Sequence, residues 1–144
     1  RRDVSIGVVM APNHPLASIR NLTMAQCLEH PLAVGKPEIS IREVIEPFLH
    51  ASAGITPPLV EVNSIRLLVE LALGGHYVSI MTPIGAQNEI AADRLVFRPL
   101  HDGGLPTNRF GILVRSGSAL HLAPAIFFEH AKTFFEGISL PGAI

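Results

Sequence analysis

One cysteine, Cys27, in 144 residues rules out an internal disulfide and any cysteine-rich zinc site, and it suits a reducing compartment. Charge is scarce as well: Asp, Glu, Lys and Arg make up 16% of the chain, against a globular norm of about 25%. Neither sign dominates, because eleven Lys and Arg stand against twelve Asp and Glu for a net charge of -1. The basic excess through which proteins hold nucleic-acid phosphates is therefore missing, and direct DNA or RNA binding by these residues is disfavoured. No apolar run reaches the roughly 18 residues of a membrane span, and Arg1-Arg2 leads into a strand-like run without a small-residue cleavage site. There is no internal repeat and no low-complexity tract. What is plentiful is apolar surface, at 48% hydrophobic residues, with twelve glycines and twelve prolines set singly between the apolar runs. A chain of this size buries about 70% of its unfolded surface on folding, so the composition describes one folded domain of many short elements and excludes disorder.

Val4 to Met10 is apolar and largely β-branched, the pattern of a strand covered on both faces in a parallel or mixed sheet. Pro12 and Pro15 then forbid helix. Thr23 to Gln26 fits a capping box, with Leu22 as its staple, and opens a short helix to about Glu29. A strand from Pro31 to Val34 leads to a second capping box, Ser40 to Glu43. The helix behind it carries Ile41, Val44, Ile45, Phe48 and Leu49 as one apolar stripe, with Pro47 as a kink site and Gly54 as its end. Strand Leu59 to Val62 passes through Asn63-Ser64, both good N-cap types, into a helix from Ile65 to Leu73 that Gly74-Gly75 stops. Tyr77 to Met81 reads as another buried strand, Thr82-Pro83 as the cap of a short helix with Ile84 and Ile90, and Leu95 to Leu100 as the next strand. After a polar crossing from His101 to Arg109 come a strand from Phe110 to Arg115, a turn at Ser116-Gly117-Ser118, and a helix entered with Pro124 at its first position. That helix has a broad apolar face, from Ala125, Ile126 and Phe127 to Ala131, Phe134 and Phe135, and Gly137 closes it. Strands alternating with short helices make an α/β domain.

Seven histidines invite a metal or catalytic reading, yet no pair has H-x-x-x-H or H-E-x-x-H spacing and no acidic cluster adjoins one. No metal, cofactor or catalytic role is expected of them. Cys27, beside Leu28 near a helix end, reads as a small buried thiol without a nameable base. Gly74-Gly75 ends a helix and enters a strand, the reverse of a phosphate-cradling loop, and no G-x-S-x-G elbow or acid/base pair supports a hydrolase or transferase. The junctions at Ser40, Asn63-Ser64 and Thr82 are different, since each follows a strand and opens a helix. Their side chains and first free amides gather at the carboxyl edge of the sheet, where open α/β sheets bind small ligands, anions especially. Capping alone accounts for each junction taken singly; three on one edge favour a ligand.

Short motifs then follow one another in a telling order. HPLA stands at His14 to Ala17, LTMAQCL at Leu22 to Leu28, PL at Pro31-Leu32, S-x-R at Ser40 to Arg42, AGI at Ala53 to Ile55 and EVNS at Glu61 to Ser64. LLVELALGGHYVSIMTP runs from Leu67 to Pro83, RLVFRPL from Arg94 to Leu100 and FGILVRSGSAL from Phe110 to Leu120. From about Val4 to Phe135 the chain resembles the C-terminal part of the effector-binding domain of LysR-type transcriptional regulators. The resemblance implies an α/β fold of the bilobed, type II periplasmic-binding-protein-like kind, with a small-molecule site in the cleft between two subdomains. It also implies a bacterial, cytoplasmic, non-enzymatic protein that touches no membrane and reaches DNA through an N-terminal helix-turn-helix absent from this chain. Without the strand-helix-strand that covers them in the family, the apolar faces of Val4 to Met10 and Phe110 to Val114 are expected to drive homo-oligomerisation or else to be covered by additional chain. The opening half of the first subdomain is absent too, so residues 1-31 and 106-144 are expected to be a remnant of subdomain I, and residues 32-105 to be subdomain II. Val4 to Met10 and Phe110 to Arg115 should accordingly share one subdomain, with Leu32 to Val34, Leu59 to Val62 and Tyr77 to Met81 in the sheet of the other.

The family's effector contacts, matched position by position, fall on Ile39, Ser40, Ile41, Asn63 and Ser64, with Thr82 and Pro83 beside them, and a small anionic metabolite is the implied guest. Two departures from the family pattern concern local geometry: Ala123 stands where many members put a capping serine, and Gly75-His76-Tyr77 replaces the commoner entry to the next strand. The rival of the same fold is a solute-binding protein of a transport system. It would need a secretory signal and a much longer chain, and the residues before Val4 show no such signal.

Overall fold

The computed structural model describes residues 2-39, 41-50, 59-114 and 121-137. In chain order these form β1 (Arg2–Val4), β2 (Gly7–Met10), a 3-10 turn (Pro15–Ser18), α1 (Met24–Cys27), β3 (Leu32–Gly35), α2 (Ile41–His50) and β4 (Leu59–Val62). There follow α3 (Ile65–Leu73), β5 (Val78–Met81), a second 3-10 turn (Pro83–Ala86), α4 (Gln87–Ala91), β6 (Val96–Pro99), β7 (Asn108–Phe110) and α5 (Leu122–Gly137). Five strands make one mixed sheet in the order β4-β3-β5-β2-β6, and β1 pairs with β7 in a separate two-stranded ladder. Within the large sheet β3 runs parallel to β4 and β5, whereas β2 runs antiparallel to β5 and β6.

The sheet is covered on both faces, which is why its strands read as nearly unbroken apolar runs. Val8, Met10, Leu32, Val34, Val78 and Ile80 alternate onto one face, where they meet Met24 and Cys27 of α1 and Ile41 and Ile45 of α2. Val9, Ala33, Val62 and Met81 take the other face against Leu68, Val69 and Ala72 of α3. Local chemistry sets the helix starts. Thr23 Oγ1 accepts from the Gln26 amide, and Gln26 Oε1 accepts from the Thr23 amide at 3.0 Å, so the expected capping box is formed. Gly75, at φ +77°, closes α3 in the left-handed conformation that glycine tolerates best, and the His76 and Tyr77 rings that follow it meet edge to face with centroids 5.1 Å apart. Arg42 of the S-x-R motif is buried and fastens α2 to the sheet: its guanidinium donates to the Gly35 carbonyl at 3.2 Å and to Glu61 at 2.6 Å, and it also pairs with Glu46. That guanidinium, and secondarily His50, holds the Glu46 carboxyl below the usual carboxylate range.

Four expectations are corrected. The run from Val4 to Met10 is two strands, broken at Ser5-Ile6, because its first part pairs with β7 and its second with β5 and β6. Gly7–Met10 therefore shares a sheet with β3, β4 and β5 rather than standing apart from them. The strand expected from Phe110 to Arg115 ends at Phe110, where the register Arg2↔Phe110 brings the pairing to its last residue, and Leu113 just beyond is 96% exposed. Pro124 also lies two residues further into α5 than expected, still in the first turn, where its missing N-H leaves no helical bond unmade. Gly54, the Ser116-Gly117-Ser118 turn and residue 115 lie outside the described residues. Of the apolar face of α5, Phe135 is buried, whereas Leu122, Phe127 and Phe134 are exposed.

One histidine has a structural part that no spacing rule announced. His14 is buried, its Nδ1 accepts from the Leu16 amide at 3.2 Å to cap the first 3-10 turn, and its ring meets that of His30 at 4.9 Å. A ring nitrogen that accepts must be unprotonated, and burial, then the neighbouring His30, pushes the His14 pKa below the usual 6.5. With the folded value below the unfolded one, this contribution to stability is fully present above the unfolded pKa and is lost as pH falls from there towards the folded pKa. Urea midpoints are expected to fall between about pH 7.5 and 5.5, and His14→Asn, which keeps an acceptor for the Leu16 amide, is expected to show a shallower fall. Identical slopes for the two proteins would contradict this assignment.

Candidate functional site

The parallel strands β3, β4 and β5 end on one side of the sheet, and the chain leaves each of them into a helix or turn. A cavity of about 220 Å³ lies at that edge. Ile39 reaches it from the loop after β3, Ile41 from the first residue of α2, Ile65 from the first residue of α3, and Thr82 and Ile84 from the segment after β5. Ile80 and Met81 form part of the wall from β5 itself, with Gly85 beside them, and Asn108 and Phe110 of β7 complete it. Phe110 is backed by Phe135 of α5, with ring centroids 5.1 Å apart. Ile65 is 40% exposed and Phe110 37% exposed, so the cavity is reachable from solvent.

The helix starts around this edge differ in what their polar side chains do. Ser64 Oγ accepts from the Leu67 amide at 3.3 Å, so it caps α3 and is committed to that bond. Thr82 occupies the equivalent position before the second 3-10 turn, yet its side chain makes no capping bond, and it lines the cavity. Of the expected contact residues, the structure brings together Ile39, Ile41 and Thr82. Asn63 is exposed, and neither it, Ser64 nor the buried Pro83 is among the described lining residues. Ser40 lies outside the described residues. Sequence reasoning missed Ile65, Ile80, Met81, Ile84, Gly85, Asn108 and Phe110. Ile65 had a signal, because the residue after an N-cap sits at the open end of its helix; Asn108 and Phe110 had none, since only tertiary folding brings β7 there.

The described lining carries no ionisable side chain. The titratable groups with displaced pKa values all lie off it. Burial, and after it the nearby Asp102, pushes the Cys27 thiol up to about 12, so it stays a neutral core thiol and no nucleophile. Arg66 holds the Glu89 carboxyl low from α3, where the two meet at 2.7 Å, tying α3 to α4. Among the described residues no group of three His, Cys, Asp or Glu side chains is placed to hold a metal ion. A concave, mostly apolar site with two polar side chains is equipped to bind a small molecule.

Residues 2-136 match the family model described as LysR substrate binding domain. A comparison with curated proteins finds no match. Among solved structures, the CcmR regulatory domain of Synechocystis PCC6803 in complex with 2-PG superposes with a TM-score of 0.64 at 16% identity, covering 95% of this chain and 65% of that one. The effector binding domain of QuiR in complex with shikimate gives 0.60 at 18% identity, covering 96% and 65%. The regulatory domain of MetR from N. meningitidis gives 0.58 at 16% identity, covering 74% and 49%. The chain thus spans between about half and two thirds of the length of these structures, and the likeness establishes its fold.

Proposed function

The chain belongs to the LysR substrate-binding-domain family and has its type II periplasmic-binding-protein-like α/β fold, and on that premise we propose that it is the effector-sensing part of a bacterial transcription regulator. In this reading a small metabolite occupies the cavity at the carboxyl edge of the sheet, and its binding shifts the balance between lobe arrangements rather than driving a reaction. The observation that carries the proposal is the convergence of Ile39, Ile41 and Thr82, expected from the resemblance, on one cavity bordered by the first residues of α2 and α3. The same two helix starts favour a guest with an anionic group. Small ligands in two structural neighbours, 2-PG in CcmR and shikimate in QuiR, support the reading. We carry the division into subdomains forward with it, residues 1-31 and 106-144 against 32-105, amended so that Gly7–Met10 counts with the second through its strand pairing. DNA contact is assigned to an N-terminal helix-turn-helix outside this sequence, and the location to the cytoplasm.

The test is a thermal-shift screen of the chain against small organic acids, run beside Ile65→Trp. The half-exposed Ile65 accepts a larger side chain, and an indole there fills the cavity mouth. At least one acid is expected to raise the Tm of the parent saturably and to lose at least about tenfold in affinity against Ile65→Trp, which is 1.4 kcal/mol. Stabilisation that ignores Ile65→Trp would place the ligand elsewhere and overturn the proposal.

Homo-oligomerisation belongs to the same proposal. The first of the two faces expected to lack cover is buried, with Val4, Val8, Val9 and Met10 at 0% exposed, and support for association comes instead from Leu113 at 96%, Leu122 at 78% and Phe127 at 74% exposed. Light scattering at tens of micromolar is expected to give a dimer or larger species, and Phe127→Glu with Phe134→Glu is expected to reduce it to monomer. A monodisperse monomer of the parent chain would contradict this.

A further inference from the structure

Resting on the effector-binding reading above, we propose that the ligand presents to this chain an apolar ring or branched hydrocarbon body with a single polar end, read by Thr82, and that Gly85 sets its size limit through Ile65. The walls are built from five isoleucines, Ile39, Ile41, Ile65, Ile80 and Ile84, joined by Met81 and Phe110. Branching at Cβ stiffens each isoleucine, so such walls hold a set shape rather than repacking around different guests. A ligand rich in hydroxyls would need a partner for each one, and beyond the backbone at the starts of α2 and α3, which suits a carboxylate, the described lining offers only the side chains of Thr82 and Asn108. The cavity of about 220 Å³ exceeds the roughly 150 Å³ of an apolar cavity that takes up benzene, room for a six-membered ring with a short substituent.

Thr82 is the selective polar contact because its hydroxyl is uncommitted. Thr23 and Ser64, at the same position of their own helices, each accept from a backbone amide, whereas Thr82 makes no capping bond while lining the cavity. Gly85 acts on size. A Cβ there would lie 2.6 Å from Ile65 Cγ2, so any larger residue drives Ile65 off its place in the wall. Glycine at this position keeps the cavity as wide as it is.

The experiment is calorimetry of the chain with cyclohexanecarboxylate and quinate, two acids on the same six-carbon ring that differ in four hydroxyls, repeated on Thr82→Val, Gly85→Ala and Ile65→Trp. Cyclohexanecarboxylate is expected to bind at least about tenfold more tightly than quinate. Its affinity should fall several-fold in both Thr82→Val and Gly85→Ala, and be lost in Ile65→Trp. Thr82→Val preserves shape, so it remains informative should Gly85→Ala fold poorly. Equal affinities, or tighter quinate binding that Ile65→Trp abolishes, overturn the apolar-body proposal and leave the effector site standing. Binding of either acid that Ile65→Trp does not touch overturns both. Binding of neither acid overturns the apolar-body proposal alone, the effector site being judged by the thermal-shift screen.

Discussion

Gly7→Ala is expected to remove a large share of the domain's stability. A Cβ at this position would lie 2.3 Å from the Arg98 carbonyl oxygen and 2.5 Å from the Phe97 ring. The oxygen belongs to the backbone of β6, the pairing partner of β2, and cannot step aside without parting the two strands. Overpacking of this kind costs about 3 kcal/mol, the upper end of its usual range, because the obstacle is backbone, and that is a large share of the roughly 5–15 kcal/mol that holds a domain together. Gly103→Ala is the control, because nothing stands within 4 Å of a Cβ there, and its effect is expected to stay within about 0.5 kcal/mol. Urea unfolding of both variants checks this, and a Gly7→Ala protein as stable as Gly103→Ala would contradict the close strand approach.

Ile80→Ala is expected to damage stability and binding together. Ile80 is fully buried in the core between the sheet and helices α1 and α2, and it also lines the cavity at the carboxyl edge. Removing its outer carbons leaves a void that the packed neighbours fill only in part, at about 2–5 kcal/mol. Ile84→Ala, at a half-buried wall position of the same cavity, is expected to cost less than about 2 kcal/mol while enlarging it similarly. If the two variants lose equal stability, Ile80 is not the joint between core and site that its burial indicates.

These two residues also mark how far the sequence could be read. Elements set by local chemistry were found from it: the Thr23–Gln26 box, a cap within the Asn63-Ser64 pair, which the structure gives to Ser64, and the Gly74-Gly75 stop each depend on atoms a few residues apart. Features set by partners were not. Nothing within Val4 to Met10 says that the first part pairs with β7 and the rest with β5 and β6, so one strand was expected where the structure has two. At the site, Ser64 and Thr82 look alike in sequence, both hydroxyl residues at strand-to-helix junctions. Only the geometry separates the one that caps from the one that faces the cavity. The apolar wall was underestimated for a related reason. Isoleucine at a helix start or strand end reads as core, and its second role appears when β7 is folded across the edge with Asn108 and Phe110.

The central claim, that a small acid binds this chain at the carboxyl edge of its sheet, is tested most directly by titrating the acids of the thermal-shift panel into protein labelled at the isoleucine δ1 methyl groups and following them by NMR. The account predicts that the methyl resonances of Ile39, Ile41, Ile65, Ile80 and Ile84 move together and saturate with one Kd, while those of Ile6 and Ile45, buried in the core off the lining, stay in place. Saturable shifts confined to Ile126 on α5, or to Ile6 and Ile45 with the five lining methyl groups unmoved, would contradict it.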